Sequence, residues 1–327
     1  MPQLRQNIIT GEWVVIAPER AKRPSDFIET HAEDPTRLDD SPFAVGSKAW
    51  QHRVKNADTK YTYTVQNFYP AFVVDAKMCE TRSFYPEHSF YRAKPAVGDH
   101  EVVVIKDVDA TLYSLSVTVL EDLLLAYQSR FITMAKNPGI EFIACIYNHG
   151  PKAGASIRQA HGQIFASPIV PNYIQLELDG SQRYYNNNGI NVFEDLVTHE
   201  KREKVRVIVE NDYFLVFTFY AARFPFETWI VPKQPGGHFA NINKTVRHAA
   251  ASALHQVLAR LNHTLKGPSV NFWIHCLPTA IAESKFYRWH IEIAPRVSGY
   301  GGYELGSGVI IDIASPEKAA EYLKDET

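Results

Sequence analysis

Residues 148–168 read NHGPKAGASIRQAHGQIFASP, and how they fold decides the architecture of the chain. A small-residue turn leads into a run in which Gln159, His161 and Gln163 alternate with Ala160, Gly162 and Ile164. Alternate residues of a strand share one face, so the three polar side chains point the same way. Such a row is either a buried hydrogen-bond relay or a reactive site, and the local sequence leaves both readings open.

Outward from this run the pattern repeats. Upstream, SVTVLEDLLLAYQSRFITMAK (116–136) spaces Leu120, Leu123, Leu124, Tyr127, Phe131 and Met134 as one helix face, and Thr118 with Glu121 gives the capping-box pattern. GIEFIACIYN (139–148) follows as a strand, then the turn, then the strand QAHGQIFA (159–166). In the second half, Val246, Ala250, Ala253, Val257, Leu258, Leu261 and Leu265 mark a helix, SVNFWIHC (269–276) a strand, and FYRWHIEIAPR (286–296) a second strand after a loop. Arg288, His290 and Glu292 take the places of Gln159, His161 and Gln163, and His275 falls near that of His149. The chain reads as two copies of one α+β unit. We expect an N-terminal domain over residues 1–180 and a diverged C-terminal domain over 190–327, each an antiparallel sheet with packed helices. The Asn/Gly-rich stretch LDGSQRYYNNNGINVFED (178–195) is expected to be the loop between them.

At 327 residues the chain has room for about two domains and substantial cores without metal or disulfide staples. A formal charge of −2 gives no basic excess that would suit nucleic acid, and no run of apolar residues is long enough to span a membrane. The start, MPQLRQNIITGEW, has no signal-peptide pattern, so a cytoplasmic location is expected. Cys79, Cys145 and Cys276 are far apart in sequence and read as reduced, mostly buried thiols.

Motifs spread over nearly the whole length carry a resemblance. They are ITGEWVVIAPERAKRP (9–24), NFYPAF (67–72), GDHEVVV (98–104), the opening stretch, VRVIVEN (205–211), FPFETWIVPK (224–233), RWHIEI (288–293) and GGYELGSG (301–308). In order and spacing they resemble the galactose-1-phosphate uridylyltransferase branch of the histidine-triad superfamily, whose members carry two histidine-triad-like domains in one chain. The resemblance implies a nucleotidyltransferase that moves a nucleoside monophosphate from a sugar nucleotide to a phosphate acceptor through a covalent nucleotidyl-histidine. His161 stands at the nucleophile position, a role that suits neutral imidazole, with one ring nitrogen held by a backbone carbonyl near the motif. Gln163 matches the donor to the phosphate oxygens, and Ser156 with the backbone of Gly154 and Ala155 matches the phosphate-cradling turn. Arg20 and Arg23 match phosphate-binding arginines, Asn67 and Asn148 match residues at the nucleoside, and Glu304 matches a hexose contact reached from a neighbouring subunit. A homodimer is thereby implied.

The chain departs from the family at its metal positions. Relatives with structural zinc use a cysteine pair and two histidines, where this sequence has Ser41, Ala44, Asp109 and Gln159. A second cysteine-pair site would fall on Val192, Asp195 and Arg288. Neither set suits tetrahedral zinc, so no cofactor is expected to be required. One further set, Glu177, His275, His290 and Glu292, matches an iron or zinc site of some relatives with one histidine exchanged for glutamate. It reads either as a Zn²⁺ or Fe²⁺ site or as a buried polar cluster.

Ile310 stands where uridylyltransferases place a hexose-binding glutamine. The leading expectation is hexose-1-phosphate uridylyl transfer. The alternatives are adenylyl transfer or phosphorolysis with ADP-glucose, diadenosine polyphosphate or adenylylsulfate, and a non-catalytic nucleotide-binding protein. Arg288 and Glu292 around His290 mark the second triplet as non-nucleophilic, since a carboxylate in place of Gln163 would repel phosphate.

Overall fold

The computed structural model describes residues 1–20, 27, 41–75, 90–91, 94–234 and 238–324. In chain order the strands and helices are β1 (Gln3–Gln6), β2 (Trp13–Ile16), α1 (Lys48–Gln51), β3 (Thr62–Gln66), β4 (Asp99–Ile105), α2 (Val117–Met134), β5 (Phe142–His149) and β6 (His161–Ser167). Then follow α3 (Asn172–Asn188), α4 (Val192–Glu203), β7 (Val207–Glu210), β8 (Phe214–Thr218), β9 (Thr228–Pro232), α5 (Lys244–Leu265), β10 (Val270–His275), β11 (His290–Pro295), α6 (Gly302–Ser307), β12 (Ile310–Asp312) and α7 (Pro316–Lys324).

Nine strands form one sheet in the order β3-β4-β6-β5-β10-β11-β9-β8-β7. The expected duplication is visible in that order. β4-β6-β5 of the first half mirrors β9-β11-β10 of the second about the β5–β10 seam, where the antiparallel register pairs Asn148 with Asn271 and Ile146 with Trp273. The two expected antiparallel sheets are thus joined edge to edge into one, which removes an exposed edge from each. β12 lies parallel to β2 and antiparallel β1 completes a separate three-stranded sheet that brings the two ends of the chain together.

On one face the apolar stripes of α2 and α5 bury against the sheet, with Leu123, Leu124, Tyr127, Leu254, Leu258 and Leu261 in a shared core. On the other face Ile174 and Leu178 of α3 and Phe193, Leu196 and Val197 of α4 pack on Phe217 and Trp229. Over the first half that second face is covered by the segment of Phe43 and Ala49, which packs with Tyr63, Val102 and Val104.

Two local expectations need correction. Residues 178–195 are helical apart from a three-residue joint, because α3 runs to Asn188, Gly189 closes it at φ 72°, and Asn191 caps α4 by accepting from the Phe193 N–H. The stripe Ile174, Glu177, Leu178, Gly180 and Ser181 is buried, which is enough to hold one side of an otherwise polar helix. The cap of α2 is Ser116, whose Oγ accepts from the Val119 N–H, while Thr118 is already inside the helix. Cys145 and Cys276 are free and buried as expected; Cys79 lies outside the described residues. Among the described residues no helix is long and apolar enough to cross a membrane.

Candidate active site

His161 opens β6, and its ring is almost fully buried. Its Nδ1 lies 2.7 Å from the carbonyl oxygen of Gln159. A carbonyl can only accept, so Nδ1 carries the proton and Nε2 keeps its lone pair. Burial lowers the pKa of the ring below the ordinary histidine value, against a smaller upward pull from that carbonyl, which favours the neutral form near pH 7. Phe43 meets the ring edge-on at 5.3 Å between centroids. Gly162, between His161 and Gln163, faces α2, where an added Cβ would lie 1.8 Å from the Tyr127 hydroxyl oxygen. That hydroxyl donates to the Ile146 carbonyl at 2.6 Å, so the position admits no side chain.

Gln163 lies across from Val102 of β4 and Ile146 of β5. Its Oε1 is 2.9 Å from Nε2 of His100, a buried histidine stacked on Phe165. Nδ2 of Asn67 lies 3.2 Å from the same nitrogen, and Oδ1 of Asn67 accepts from the Tyr69 N–H. The register Tyr147↔Gly162 sets Asn148 beside His161. Asn148 Oδ1 accepts from Asn271 Nδ2 at 2.8 Å, and the same amide donates to the Ala153 carbonyl. Arg296 in turn donates to Asn271 Oδ1 at 3.3 Å. The second half therefore orients a residue of the first.

The fold brings His161, Gln163, Asn67 and Asn148 onto one sheet face around this network. In the turn, the N–H of Gly154 donates to Pro151 and that of Ala155 to Gly150. Those two amides are thus used inside the turn and are not the free phosphate donors expected of them. Gly154 serves the conformation instead, closing the turn at φ 82°. Ser156 is exposed beyond it. Arg20 is exposed at the end of the short 3-10 turn Pro18–Arg20, and Arg23 lies outside the described residues. Glu304 sits in α6, where its carboxylate accepts from the Gly301 N–H.

The second triplet repeats the first with altered chemistry. Nδ1 of His290 lies 3.1 Å from the Arg288 carbonyl, the same lock two residues back. Nε2, however, faces Glu292 Oε1 at 3.3 Å, and the ring is fully buried with Trp229 stacked on it at 4.8 Å. A nucleotide phosphate has no access to that nitrogen.

The family described as galactose-1-phosphate uridyl transferase, N-terminal domain, matches residues 1–171, and its C-terminal domain matches residues 177–295. The chain belongs to the galactose-1-phosphate uridylyltransferase family. It is a nucleotidyltransferase of that family. Among its relatives, the ADP-glucose phosphorylase of Arabidopsis thaliana is 32% identical over 333 residues, covering 99% of this chain and 93% of that protein. The galactose-1-phosphate uridylyltransferase of Thermotoga maritima is 24% identical over 334 residues, covering 99% and 98%. A crystal structure of the A. thaliana ADP-glucose phosphorylase with bound ADP-glucose matches with a TM-score of 0.83 at 28% identity, over 100% of this chain and 99% of that one.

Ser41 and Gln159, two of the positions singled out from the sequence as lacking zinc ligands, carry hydrogen bonds here. Ser41 Oγ donates to Gln159 Oε1 at 2.6 Å, and Gln159 Nε2 donates to the Ile105 carbonyl at 2.8 Å. Hydroxyl and amide groups thus tie the N-terminal segment to β6, while Asp109 is exposed in its own turn. In the other set, Arg288 is buried and donates to the Pro232 and Lys233 carbonyls and to Glu194.

Glu177, His275, His290 and Glu292 do converge, all buried, with their ligand atoms within 4.8 Å of one another. His275 Nδ1 lies 3.1 Å from Glu177 Oε1 and 3.3 Å from Glu292 Oε1. His290 Nε2 lies 3.3 Å from Glu292 Oε1 and 3.8 Å from Glu177 Oε1. Four ligands about 2.0–2.1 Å from a tetrahedral ion stand about 3.3–3.4 Å apart. Three of these distances lie near that edge, and the 3.8 Å pair and the 4.8 Å outer limit would have to close by side-chain movement for the imidazole and carboxylate donors to hold such an ion. The outer carboxylate oxygens are already engaged, Glu177 Oε2 by the Tyr287 hydroxyl and Glu292 Oε2 by Arg223 and Trp273.

His100, Asn271 and Arg223 were not singled out from the sequence. His100 stood in the GDHEVVV motif without a role. Asn271 sits two residues into SVNFWIHC, and only the seam register puts it against Asn148.

Proposed function

We propose that the chain transfers adenylyl groups from ADP-glucose to inorganic phosphate through adenylylated His161. The observation that carries this is the lone pair fixed at His161 Nε2 by the Gln159 carbonyl. The choice of adenylyl donor is supported by the 32% identity to an ADP-glucose phosphorylase over nearly both whole chains. Ile310, a strand residue paired with Val14 where a hexose-binding glutamine would stand, weighs against galactose 1-phosphate as the acceptor.

Nε2 attacks the α-phosphorus of ADP-glucose, forming the P–N bond as the P–O bond to glucose 1-phosphate breaks. Phosphate then attacks the same phosphorus, forming ADP and returning the electron pair to Nε2. Storing the nucleotide on the enzyme gives ping-pong kinetics. Gln163 donates to the non-bridging oxygens as charge builds, Ser156 and the cations Arg20 and Arg23 hold the phosphates, and Asn67 and Asn148 hold the nucleoside. Residues 1–180 form the working unit and 190–327 a diverged copy whose Asn271 orients Asn148. Glu304 reaches the sugar from a second copy of the chain. The exposed Tyr303 and Leu305 on α6 support such a homodimer contact.

The buried set Glu177, His275, His290 and Glu292 would hold one Zn²⁺ or Fe²⁺ ion. Such an ion would neutralise the two converging carboxylates, and no step of the transfer runs through it.

A turnover assay tests the substrate. Release of ADP and glucose 1-phosphate from ADP-glucose, strictly dependent on phosphate, is the expected result. Turnover confined to UDP-glucose with galactose 1-phosphate would establish the uridylyl version of the same chemistry instead. Nucleotide binding without turnover of any donor would leave a binding protein.

A further inference from the structure

A glutamine amide has two orientations of nearly the same shape, and only one presents N–H donors to a phosphate. The other presents a carbonyl oxygen, which repels it. Something must therefore choose the orientation of Gln163.

The backbone makes the choice through His100. Register His100↔Phe165 sets the histidine two pairs along β4 from Val102↔Gln163, so His100 and Gln163 share a face. The ring is clamped against Phe165, with centroids 3.9 Å apart and planes 26° apart. The N–H of Ala71 points at Nδ1 from 3.1 Å. A backbone N–H can only donate, so Nδ1 holds the lone pair, and in the neutral ring Nε2 carries the proton. Burial lowers the pKa of His100, which favours that neutral ring. The Nε2 proton meets Gln163 at 2.9 Å, and an oxygen must receive it. The amide NH₂ is then turned away from His100. With Nε2 protonated, Asn67 Nδ2 at 3.2 Å makes a donor–donor contact with it and no hydrogen bond.

We propose that His100 is a positioning residue: by donating to Gln163 Oε1 it fixes the amide with its N–H groups toward the phosphate being transferred. The inference rests on the transfer reading above. It makes a chain of four groups, from the Ala71 N–H through the imidazole and the Gln163 amide to phosphate, in which each link has only one polarity.

A double-mutant cycle tests it, read as the single-turnover rate of His161 adenylylation by ADP-glucose. His100→Phe keeps the stack on Phe165 but has no donor, and should slow the step about ten- to hundredfold with the donor Kd little changed. His100→Gln, which can place an N–H near the Nε2 position, should recover most of the rate. In a Gln163→Ala background His100→Phe should change the rate less than twofold, because there is no amide left to orient. An equal loss in both backgrounds, or no loss in either, overturns the proposal. A merely structural role would give the first of these.

Imidazole ¹⁵N spectra of the wild-type chain give a second readout that needs no turnover and no variant. An unprotonated Nδ1 and a protonated Nε2 on His100 support the proposal, and the reverse tautomer overturns it. If the wild type forms no adduct with any donor, the transfer reading fails, and the tautomer still decides whether His100 sets the amide.

Discussion

Nδ1 of His161 is held 2.7 Å from the carbonyl oxygen of Gln159, and the relationship recurs at 3.1 Å between His290 and Arg288. The lock is a property of the duplicated strand start. What separates the two copies is the other ring nitrogen, which meets no carboxylate among the described residues in the first half and faces Glu292 in the second.

The first lock has a pH consequence. Burial puts the His161 pKa below 6.5, so its nucleophilic neutral form persists to more acid pH than a solvent-exposed histidine would allow. The acid limb of kcat/KM for ADP-glucose between pH 4.5 and 8, which reports the free enzyme, should fall with an apparent pKa below 6.5. An acid limb above that value would contradict the role of burial.

Gly162→Ala should destabilise the fold by about 1–3 kcal/mol, because a Cβ there would overlap the Tyr127 hydroxyl. Urea melts check this. Tyr127→Phe in the same chain should restore part of the loss, since it removes the nearest of the overlapping atoms. Equal stability of Gly162→Ala and wild type would mean that β6 and α2 are packed more loosely than described.

Acid stability should depend on Glu317. Burial raises its pKa, but hydrogen bonds from Arg5 and Ser315 and the Arg5 charge outweigh that and hold the carboxyl down to about 2. Arg206, paired with Glu200, also reaches it at 2.9 Å. A depressed folded pKa means the stabilisation is fully present above the unfolded value of 4.5 and is lost as pH falls toward 2. Its size is up to about 3 kcal/mol, less some solvent screening. In denaturant melts, Glu317→Gln should cost stability at pH 7 and show a shallower decline between pH 4.5 and 2. Parallel curves for the two proteins would remove Glu317 from the account.

Much of this was legible in sequence because it is local. Strand alternation placed Gln159, His161 and Gln163 on one face, and the repeat of helix, strand, loop and strand predicted the duplication, although not that the two sheets join into one nine-stranded sheet. The positions that lost zinc ligands were legible too, although not that Ser41 and Gln159 bond directly. What escaped depends on long-range register. Asn271 matters only because β10 pairs with β5, His100 only because β4 lies beside β6, and β12 only because it finds β2 across almost the whole chain. The misread stretch 178–195 failed for a different reason. Its Asn and Gly residues suggested a loop, while a buried stripe of Ile174, Glu177, Leu178, Gly180 and Ser181 sufficed to hold the helix.

The metal reading predicts about one equivalent of zinc or iron per chain by elemental analysis of protein expressed in metal-replete medium. His275→Ala should abolish it, and a chelator should lower the melting temperature of the wild type but not of the variant. Substoichiometric metal unaffected by His275→Ala would leave the four residues as a buried polar cluster.

The central claim is that His161 carries the nucleotide. The measurement that tests it most directly is intact mass after brief incubation with ADP-glucose alone, followed by peptide mapping under conditions that preserve phosphoramidates. The account predicts a gain of one adenylyl group on His161, discharged by added phosphate and absent in His161→Ala. An unmodified wild-type protein that still turns over ADP-glucose, or an adenylyl group mapped to another residue, would contradict it.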